Sequence, residues 1–418
     1  MSAWQGKRYR EIFQYSSFRR FWLGFTFSAI GDAMTKVAFI WFVYQSTGSA
    51  QAVGWLLLCY TGPVVLGGIV AGTLLDRFDR RMVMLLDNTV RGFVIASVPV
   101  LSIVGHLALW YIYLVALVYG FLMMITLAGG PALIPSLVPQ ARLATANALE
   151  SVSFTLSGVM GPPLAGLLIA RFGAPSVLVI DALSYATFAM ALMSIHATVE
   201  PISEGQGDVK TYRLTDAISL LLKNTVLLST TLMFMIFNIG EGFLSVWLPV
   251  YSTRVLGGGP ELYGVLLGAL AAGETVGSVL AGSMVLSLSL GTLICLSQFL
   301  SGVSLCLVLL DPNIWLTATG LTLLGFFSAP LTIWAQTLRM QIIPEQLRGR
   351  TFALLRTLMQ STGPLASACA AELLSILSVP AMIGLSALLI GAPGVLGLGV
   401  KQLRQPEERH SKKEGETI

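Results

Sequence analysis

Several charged side chains sit within apolar stretches of this chain, and their types and spacing could do proton or ion chemistry. Asp32 and Lys36 stand four residues apart in the run 20–44, and Asp87 and Arg91 repeat that spacing in the run 82–104. On a helix, residues four apart share a face, so each pair could neutralise itself. Glu241, in the run 224–252, has no basic residue three or four positions away in sequence. Its helical face carries Asn238 and Ser245, a polar stripe flanked by Phe234, Phe237, Phe243 and Trp247. A charged side chain at the centre of a membrane helix costs about 2.5–3.5 kcal/mol on insertion scales, so each one retained needs a reason. A carboxyl in low dielectric exchanges protons with its surroundings as wetting changes, which suits a site that trades protons for a bound cation. On that ground Glu241, with Asp32, is expected to form the proton- and cation-recognition site. Glu150, Asp181, Glu274 and Glu372 are further acids in or at the edge of apolar runs, and helix packing is expected for them.

Other chemistries are excluded. The chain has three histidines, His106, His196 and His410, far apart in sequence, so neither a metal site nor a Ser/His/Asp set can be assembled. Cys59, Cys295, Cys306 and Cys369 show no metal-ligand spacing and are expected to pack. No GxxxxGK[ST] loop is present to hold a nucleotide. No enzyme activity and no cofactor are expected.

The elements that must position these charges follow from composition. Of 418 residues 55% are hydrophobic and 11% charged, under half of the roughly 25% charge of soluble domains. Apolar runs of the length that spans about 30 Å of hydrocarbon recur at 20–44, 51–75, 82–104, 108–138, 144–170, 174–196, 224–252, 261–285, 289–310, 314–338, 350–378 and 380–400. None alternates apolar with polar, which excludes a barrel. The chain is therefore expected to be an all-α membrane protein of twelve transmembrane helices. No small-residue cleavage site follows the first basic residues, so the first helix is expected to be retained.

Basic residues orient the helices, because Lys and Arg concentrate on the cytoplasmic side. With a cytoplasmic amino terminus, 20 of the 25 Lys and Arg fall inside, Arg339 among them; Arg171 and Arg254 fall outside, and Lys36, Arg91 and Arg356 lie within spans. Both termini are expected to be cytoplasmic, in a cell's inner membrane. The net charge of +4 is then a topology signal, and no nucleic-acid partner is expected.

The only long polar connection, with Pro201, Gly205 and Gly207, is followed by the amphipathic stretch 213–223. It divides the chain into an amino-terminal half 1–197, a linker 198–223, a carboxy-terminal half 224–402 and a tail 403–418. The halves echo each other. Val138-Pro139-Gln140 matches Ile343-Pro344-Glu345 at an offset of 205, Gly31-Asp32 matches Gly240-Glu241 at 209, and Ala71-Gly72 matches Ala281-Gly282 at 210. Near-constant offsets in order point to a duplication, and duplicated halves around a site are how many secondary transporters alternate access.

The connection Gly72-Thr-Leu-Leu-Asp76-Arg77-Phe-Asp79-Arg80-Arg81 resembles motif A of the major facilitator superfamily. The resemblance extends over nearly the whole chain. It implies that Asp76, Arg77, Arg80 and Arg81 gate the transport cycle, the acid at a helix amino terminus of the other half and the basic residues on nearby acids. Asp79 stands where the family usually has Gly. Gly158-Val-Met-Gly161-Pro162-Pro163-Leu-Ala-Gly166 is similar to the motif C of drug:proton antiporters, in which small residues allow close helix approach. Gly31-Asp32, Thr47-Gly48-Ser49, Ala146-Asn147-Ala148-Leu149 and Leu347-Arg348-Gly349-Arg350 look most like the macrolide-efflux and siderophore-exporter branch. Two departures are that 108–138 lacks the Arg of many proton antiporters, and that Gly282 opens a second motif A without charges.

The resemblance implies two six-helix halves with the first, fourth, seventh and tenth spans around a cavity, so that Tyr119, Trp334 and Gln336 join Asp32, Lys36, Asn238 and Glu241 there. It implies proton-coupled export of amphiphilic small molecules by a monomer in the bilayer, with protons and a small-molecule substrate as partners. Import or facilitated passage of a polar metabolite stays open, as does a transport-inactive scaffold or sensor.

Overall fold

The structure, a computed structural model, describes residues 11–195, 214–283, 288–344 and 347–404. Lys7, Arg8, Arg10, Lys210, Arg213, Arg409, Lys412 and Lys413, eight of the basic residues on which the expected orientation rests, lie outside them. The described chain is helical, in the order α1 Ser16–Thr47, α2 Ala50–Thr61, α3 Pro63–Arg77, α4 Arg80–Val104, α5 Leu109–Leu133, α6 Leu143–Phe172, α7 Ala174–Ser194, α8 Leu214–Lys223, α9 Thr225–Arg254, α10 Pro260–Ser283, α11 Leu290–Leu310, α12 Ile314–Ile342, α13 Arg348–Leu373, α14 Val379–Leu398 and the single turn α15 Lys401–Arg404. Two short 3-10 turns, Ile134–Ser136 and Gln140–Arg142, join α5 to α6.

The helix ends follow the local chemistry. Ser49, Asp79, Asn224, Ser289, Asn313 and Ser378 each cap a helix start, their side chains accepting from the backbone N–H of Ala52, Met82, Leu227, Thr292, Trp315 and Ala381. α1 ends at Gly48, whose φ of 62° is the left-handed conformation that glycine adopts without strain, and its N–H closes on the Tyr44 carbonyl. The second expected span is two helices rather than one. Pro63 has no N–H to donate and its ring crowds the preceding turn, so the helix pauses at Gly62 and restarts as α3.

Eleven helices among the described residues are long and apolar enough to cross a membrane, α2 and α3 counting as one. The expected twelfth, α13, has the length at 26 residues but carries Arg348, Arg350, Arg356 and Glu372. It starts 205 positions after α6, the offset seen in the sequence, which makes it the counterpart of that helix.

By contacts the chain forms two compact units, Met1–Gly207 with Gly258–Gly268, and Asp208–Gly257 with Ala269–Ile418. In the first, α1 packs on α6 and α7, α4 on α5 and α7, and α5 on α2 and α3. In the second, α9 packs on α13 and α14, and α11 on α12 and α14. The amphipathic α8 sets Ala217 and Leu221 inward, and Leu221 joins a cluster with Leu227, Ile343 and Leu355.

Small residues reveal how closely the two units repeat each other. A Cβ on Gly161 would stand 2.6 Å from that of Ala33, and a Cβ on Gly242 would stand 2.9 Å from that of Ala366. These pairs are equivalent at offsets of 209 for α1 and α9 and 205 for α6 and α13. Gly120 lies bare against the Tyr60 carbonyl as Gly325 does against that of Leu270, and Gly67 against Phe121 as Gly277 against Phe326. Gly31 lies against Asp181 and Ser184, and Gly240 lies against Ile390 and the Ser386 carbonyl. Interhelical approach through small residues is how membrane helices gain packing without a hydrophobic driving force.

A methyl group at Gly31 would overlap the Asp181 carboxylate, whereas nothing lies within 4 Å of one at Gly72. Gly31→Ala is therefore expected to destabilise the protein by about 1–3 kcal/mol, read as a lower melting temperature in detergent, while Gly72→Ala melts as the unaltered protein does.

Candidate functional site

Asp32, Asp87 and Arg91 of the first unit meet in one network. Asp32, midway along α1, directs Oδ1 at α4, α5 and α7. There it accepts the Tyr119 hydroxyl at 2.6 Å and a short hydrogen bond from the Tyr185 hydroxyl, with Arg91 Nη1 3.5 Å away. Arg91 is fully buried, and its Nη2 pairs with Asp87 Oδ2 at 2.8 Å and donates to Thr126 Oγ1 at 2.7 Å. Thr126 donates on to Asp87 at 2.6 Å, and Asn88 donates to Thr126 at 3.2 Å. The guanidinium also lies over the Tyr185 ring, 4.6 Å from its centroid, where a cation is favoured. Beside this network, Asp181 is fully buried and accepts from Thr35 at 2.6 Å and from Ser184 at 3.0 Å.

Asp32 is not wholly enclosed. Its side chain is 26% exposed, and it borders a cavity of about 270 Å³ within the first unit. Phe25, Phe154, Met123 and Leu127 give that cavity its apolar wall, and Lys36, Thr61, Thr126 and Ser157 its polar one. Phe25 and Phe154 meet edge to face at 5.4 Å.

The structure rearranges the expected pairings. Asp32 is held by Arg91 and two tyrosines instead of Lys36, because a buried guanidinium and hydroxyls in low dielectric outbid an ammonium that can stay in open space. Lys36 is exposed toward the cavity, and among the described residues no carboxylate lies within 4.0 Å of it. Tyr119 is fully buried behind the cavity wall, where it stacks on Tyr60 at 5.0 Å and holds Asp32. Asp181, for which helix packing was expected, adjoins the network. Its signal in the sequence was Gly31, the bare position its carboxylate requires.

In the second unit Glu241 is half-buried, and Asn238 donates to the Met359 carbonyl at 2.8 Å, a bond between α9 and α13. Trp334 is half-buried and Gln336 exposed. Arg339, expected in a loop, lies buried in the last turn of α12, over the Phe234 ring at 4.7 Å. Of the cysteines, Cys295 is buried, but Cys306 and Cys369 are exposed on their helices rather than packed.

The motif A residues also differ from the expectation of acid pairing. Arg80 donates to the Ala132 carbonyl at 2.7 Å, and Arg81 donates to those of Leu192 and Met193, both at 2.6 Å. These are the last carbonyls of α5 and α7, where a cation satisfies groups the helix leaves open. Asp79 replaces the usual Gly as the cap of α4. Asp76 and Arg77 are exposed. In the motif C segment, Gly161 meets α1, Gly158 is half-buried, and Gly166 and Pro162 lie against Pro260 and Gly264 at the start of α10.

A model of the family described as transmembrane secretion effector matches residues 12–414. The chain belongs to this family of the major facilitator superfamily. Relatives include the staphyloferrin A transporter of Staphylococcus aureus, 23% identical over 74% of this chain and 76% of its own length. The multidrug efflux pump Tap of Mycolicibacterium fortuitum is 24% identical over 80% and 83%, and the enterobactin exporter EntS of Shigella boydii is 26% identical over 80% and 79%. Among solved structures, the nucleoside transporter NupG superposes with a TM-score of 0.75 at 13% identity, covering 94% of this chain and all of that one. A bacterial homologue of the iron transporter ferroportin gives 0.72 at 16%, covering 92% and 98%. These two show the fold alone. This facilitator-family chain is a multi-span membrane transporter of small molecules, not an enzyme.

Removing the buried cation leaves Asp32 and Asp87 without their shared partner. Arg91→Met is expected to destabilise the transporter by about 3–5 kcal/mol. Combining Arg91→Gln with Asp87→Asn is expected to cost less than the sum of the two single changes, because they share one interaction; thermal unfolding in detergent measures both.

Proposed function

We propose that this transporter exports amphiphilic small molecules from the cytoplasm across the inner membrane in exchange for protons. The observation that carries the reading is the position of Asp32, which faces the cavity on one side and a buried Arg–Asp–Tyr–Thr network on the other. No protein group bonds Oδ2 of Asp32 among the described residues, and it is not buried, so a proton can reach it from the cavity. Protonation there removes the charge that draws Arg91 and the two tyrosine hydroxyls, and Arg91 then belongs to Asp87 alone. One proton thereby changes the contacts of α1, α4, α5 and α7 together, as a coupled transporter requires.

The apolar and aromatic wall with a polar side supports an amphiphilic substrate. Relatives named as a multidrug efflux pump and as siderophore transporters support export and that substrate class. Glu241, equivalent to Asp32 in the sequence repeat, is the second carboxyl we assign to proton exchange. Asp76 we assign to gating, since it is exposed at the end of α3.

Proteoliposomes with an imposed pH gradient test this, using a macrolide, a lipophilic cation and a catecholate siderophore as probes. The transporter is expected to accumulate at least one of them against its gradient, and Asp32→Asn to retain exchange while losing accumulation by about 10-fold or more. Glu241→Gln is expected to weaken the dependence on the pH gradient. Uphill export by Asp32→Asn with the dependence unchanged would remove Asp32 from coupling. In the same assay Asp76→Asn should slow turnover without altering the melting temperature; wild-type turnover in that variant would sink the gating role.

A further inference from the structure

Glu150 takes no part in the Asp32 network, yet it is 7% exposed in the interior of the first unit. Its Oε1 is buried with no hydrogen-bond partner, lying over Gly130 of α5, where a Cβ would stand 2.6 Å from it and 3.6 Å from the ring of Phe25. Gly130 makes the space, because any side chain there would displace the carboxyl. Burying an ionised carboxylate without a partner is so unfavourable that such groups are paired, protonated or functional.

Lys36 of α1 is exposed toward the cavity, and the other charged groups on the helices and turns around Glu150 are engaged elsewhere. On α1, Arg19 donates to the Phe13 carbonyl, Arg20 to that of Ser194, and Asp32 belongs to Arg91. At the start of α6, Arg142 pairs with Glu11 at 2.6 Å. Arg80 reaches the end of α5, Arg81 the end of α7, and Asp181 of α7 accepts from Thr35 and Ser184. Among the described residues none of these makes an ion pair with Glu150.

Its place in the fold is as informative. Glu150, Phe154 and Ser157 share one face of α6 at positions i, i+4 and i+7, and the latter two border the cavity. Glu150 therefore lies about one turn beyond Phe154, roughly 6 Å along the axis, on the side of the arginine-rich helix ends. The Phe25–Phe154 pair borders the cavity and comes next along this face of α6. Hydroxyls continue through the same region. Thr26 and Ser153 bond each other at 2.7 Å, and Ser28 Oγ, on the cavity wall, is buried without a partner.

We propose that Glu150 is a second proton-binding site of this unit, held behind the Phe25–Phe154 pair, which passes protons between the Asp32 cavity and the arginine-rich end. This rests on the proton-coupled reading. Oε2, bonded to no protein group and not buried, is the atom that takes up and releases the proton. When the aromatic pair parts, water and the hydroxyls of Ser28 and Ser153 connect the two carboxyls; when it closes, a proton on Glu150 is separated from the cavity. Such separation is what keeps protons from leaking through while the cavity is occupied.

Two measurements on the full-length, substrate-free protein decide it. Dicyclohexylcarbodiimide, an apolar reagent that modifies protonated carboxyls, is expected to label Glu150, with labelling located by mass spectrometry and declining as pH rises. Infrared difference spectra are expected to contain a protonated-carboxyl band that titrates with pH and disappears in Glu150→Gln. In the proteoliposome assay Glu150→Gln is expected to retain exchange within about 2-fold and lose pH-driven accumulation about 10-fold, while Glu150→Asp keeps a pH-dependent flux. Absence of carbodiimide labelling, an unchanged infrared band in Glu150→Gln, or wild-type accumulation by that variant overturns the proposal. Labelling of the wild-type protein requires no variant to fold. If the wild-type transporter accumulates no probe on a pH gradient, proton-coupled export itself fails, and the labelling result still reports whether Glu150 binds a proton.

Discussion

The first unit depends on one buried cation. Arg91 is fully enclosed, and a guanidinium there is sustainable only because Asp32, Asp87, Thr126 and two tyrosines converge on it from four helices. Taking such a group out of water costs several kcal/mol even after relaxation, repaid only by good geometry and additional hydrogen bonds. The helix packing has to be precise for that reason. Gly92 approaches the Tyr185 side chain, Gly31 leaves room for Asp181, and Tyr60 backs Tyr119. A shift of one helix would break an ion pair as well as a packing contact, so α1, α4, α5 and α7 respond together to whatever changes the charge of Asp32.

The second unit uses the same scaffold with different chemistry. At the offset of 210 set by the starts of α4 and α11, Asp87 corresponds to Ser297 and Arg91 to Ser301, and at 205 Asp181 corresponds to Ser386. All three serines are buried; Ser301 donates to the Ser297 carbonyl, and Ser386 donates to the Met382 carbonyl while accepting from the Trp247 indole. Tyr119 and Tyr185 correspond to Leu324 and Ile390, both buried and apolar. Gly120 and Gly325, Gly67 and Gly277, and Gly161 and Ala366 keep equivalent contacts throughout. The duplication has kept the sites of close approach, while the positions equivalent to Asp87, Arg91 and Asp181 are serines, and Glu241 is in register with Asp32. Hydroxyls can hydrogen-bond within a helix and stay neutral, so at these three positions the second unit needs no ion pair to hold its shape.

Much of the scaffold was legible in the sequence because the bilayer imposes a simple rule. Runs of about 20 apolar residues must be helices, and the offsets of 205 to 210 between halves recur in the helix starts and glycine contacts. The interruption at Gly62-Pro63 and the polarity of α13 were visible in the residues but not decisive, since neither changes the length of the run. The site was only partly legible. Spacing on one helix pairs Asp32 with Lys36 as readily as Asp87 with Arg91, and only the second pair forms. What decides between them is the arrival of Arg91, Tyr119 and Tyr185 from other helices, information that no local spacing contains. Arg80 and Arg81 were likewise marked by their motif, but their partners are carbonyls at the ends of α5 and α7, which carry no sequence signature.

On the proton-coupled reading we propose, two carboxyls at different depths in the first unit divide the work of handling a proton. Asp32 is tied to a cation, so a change in its charge is transmitted to four helices. Glu150 is tied to none, so a change in its charge alters little beyond its own solvation. The first is suited to coupling and the second to storage or relay, and a site with both can admit a proton without moving and then move because of it. The Phe25–Phe154 pair supplies the separation on which that order depends. An apolar edge-to-face contact has no hydrogen-bonding group through which a proton could pass, so transfer between the carboxyls waits on side-chain motion and water rather than on either acid's affinity.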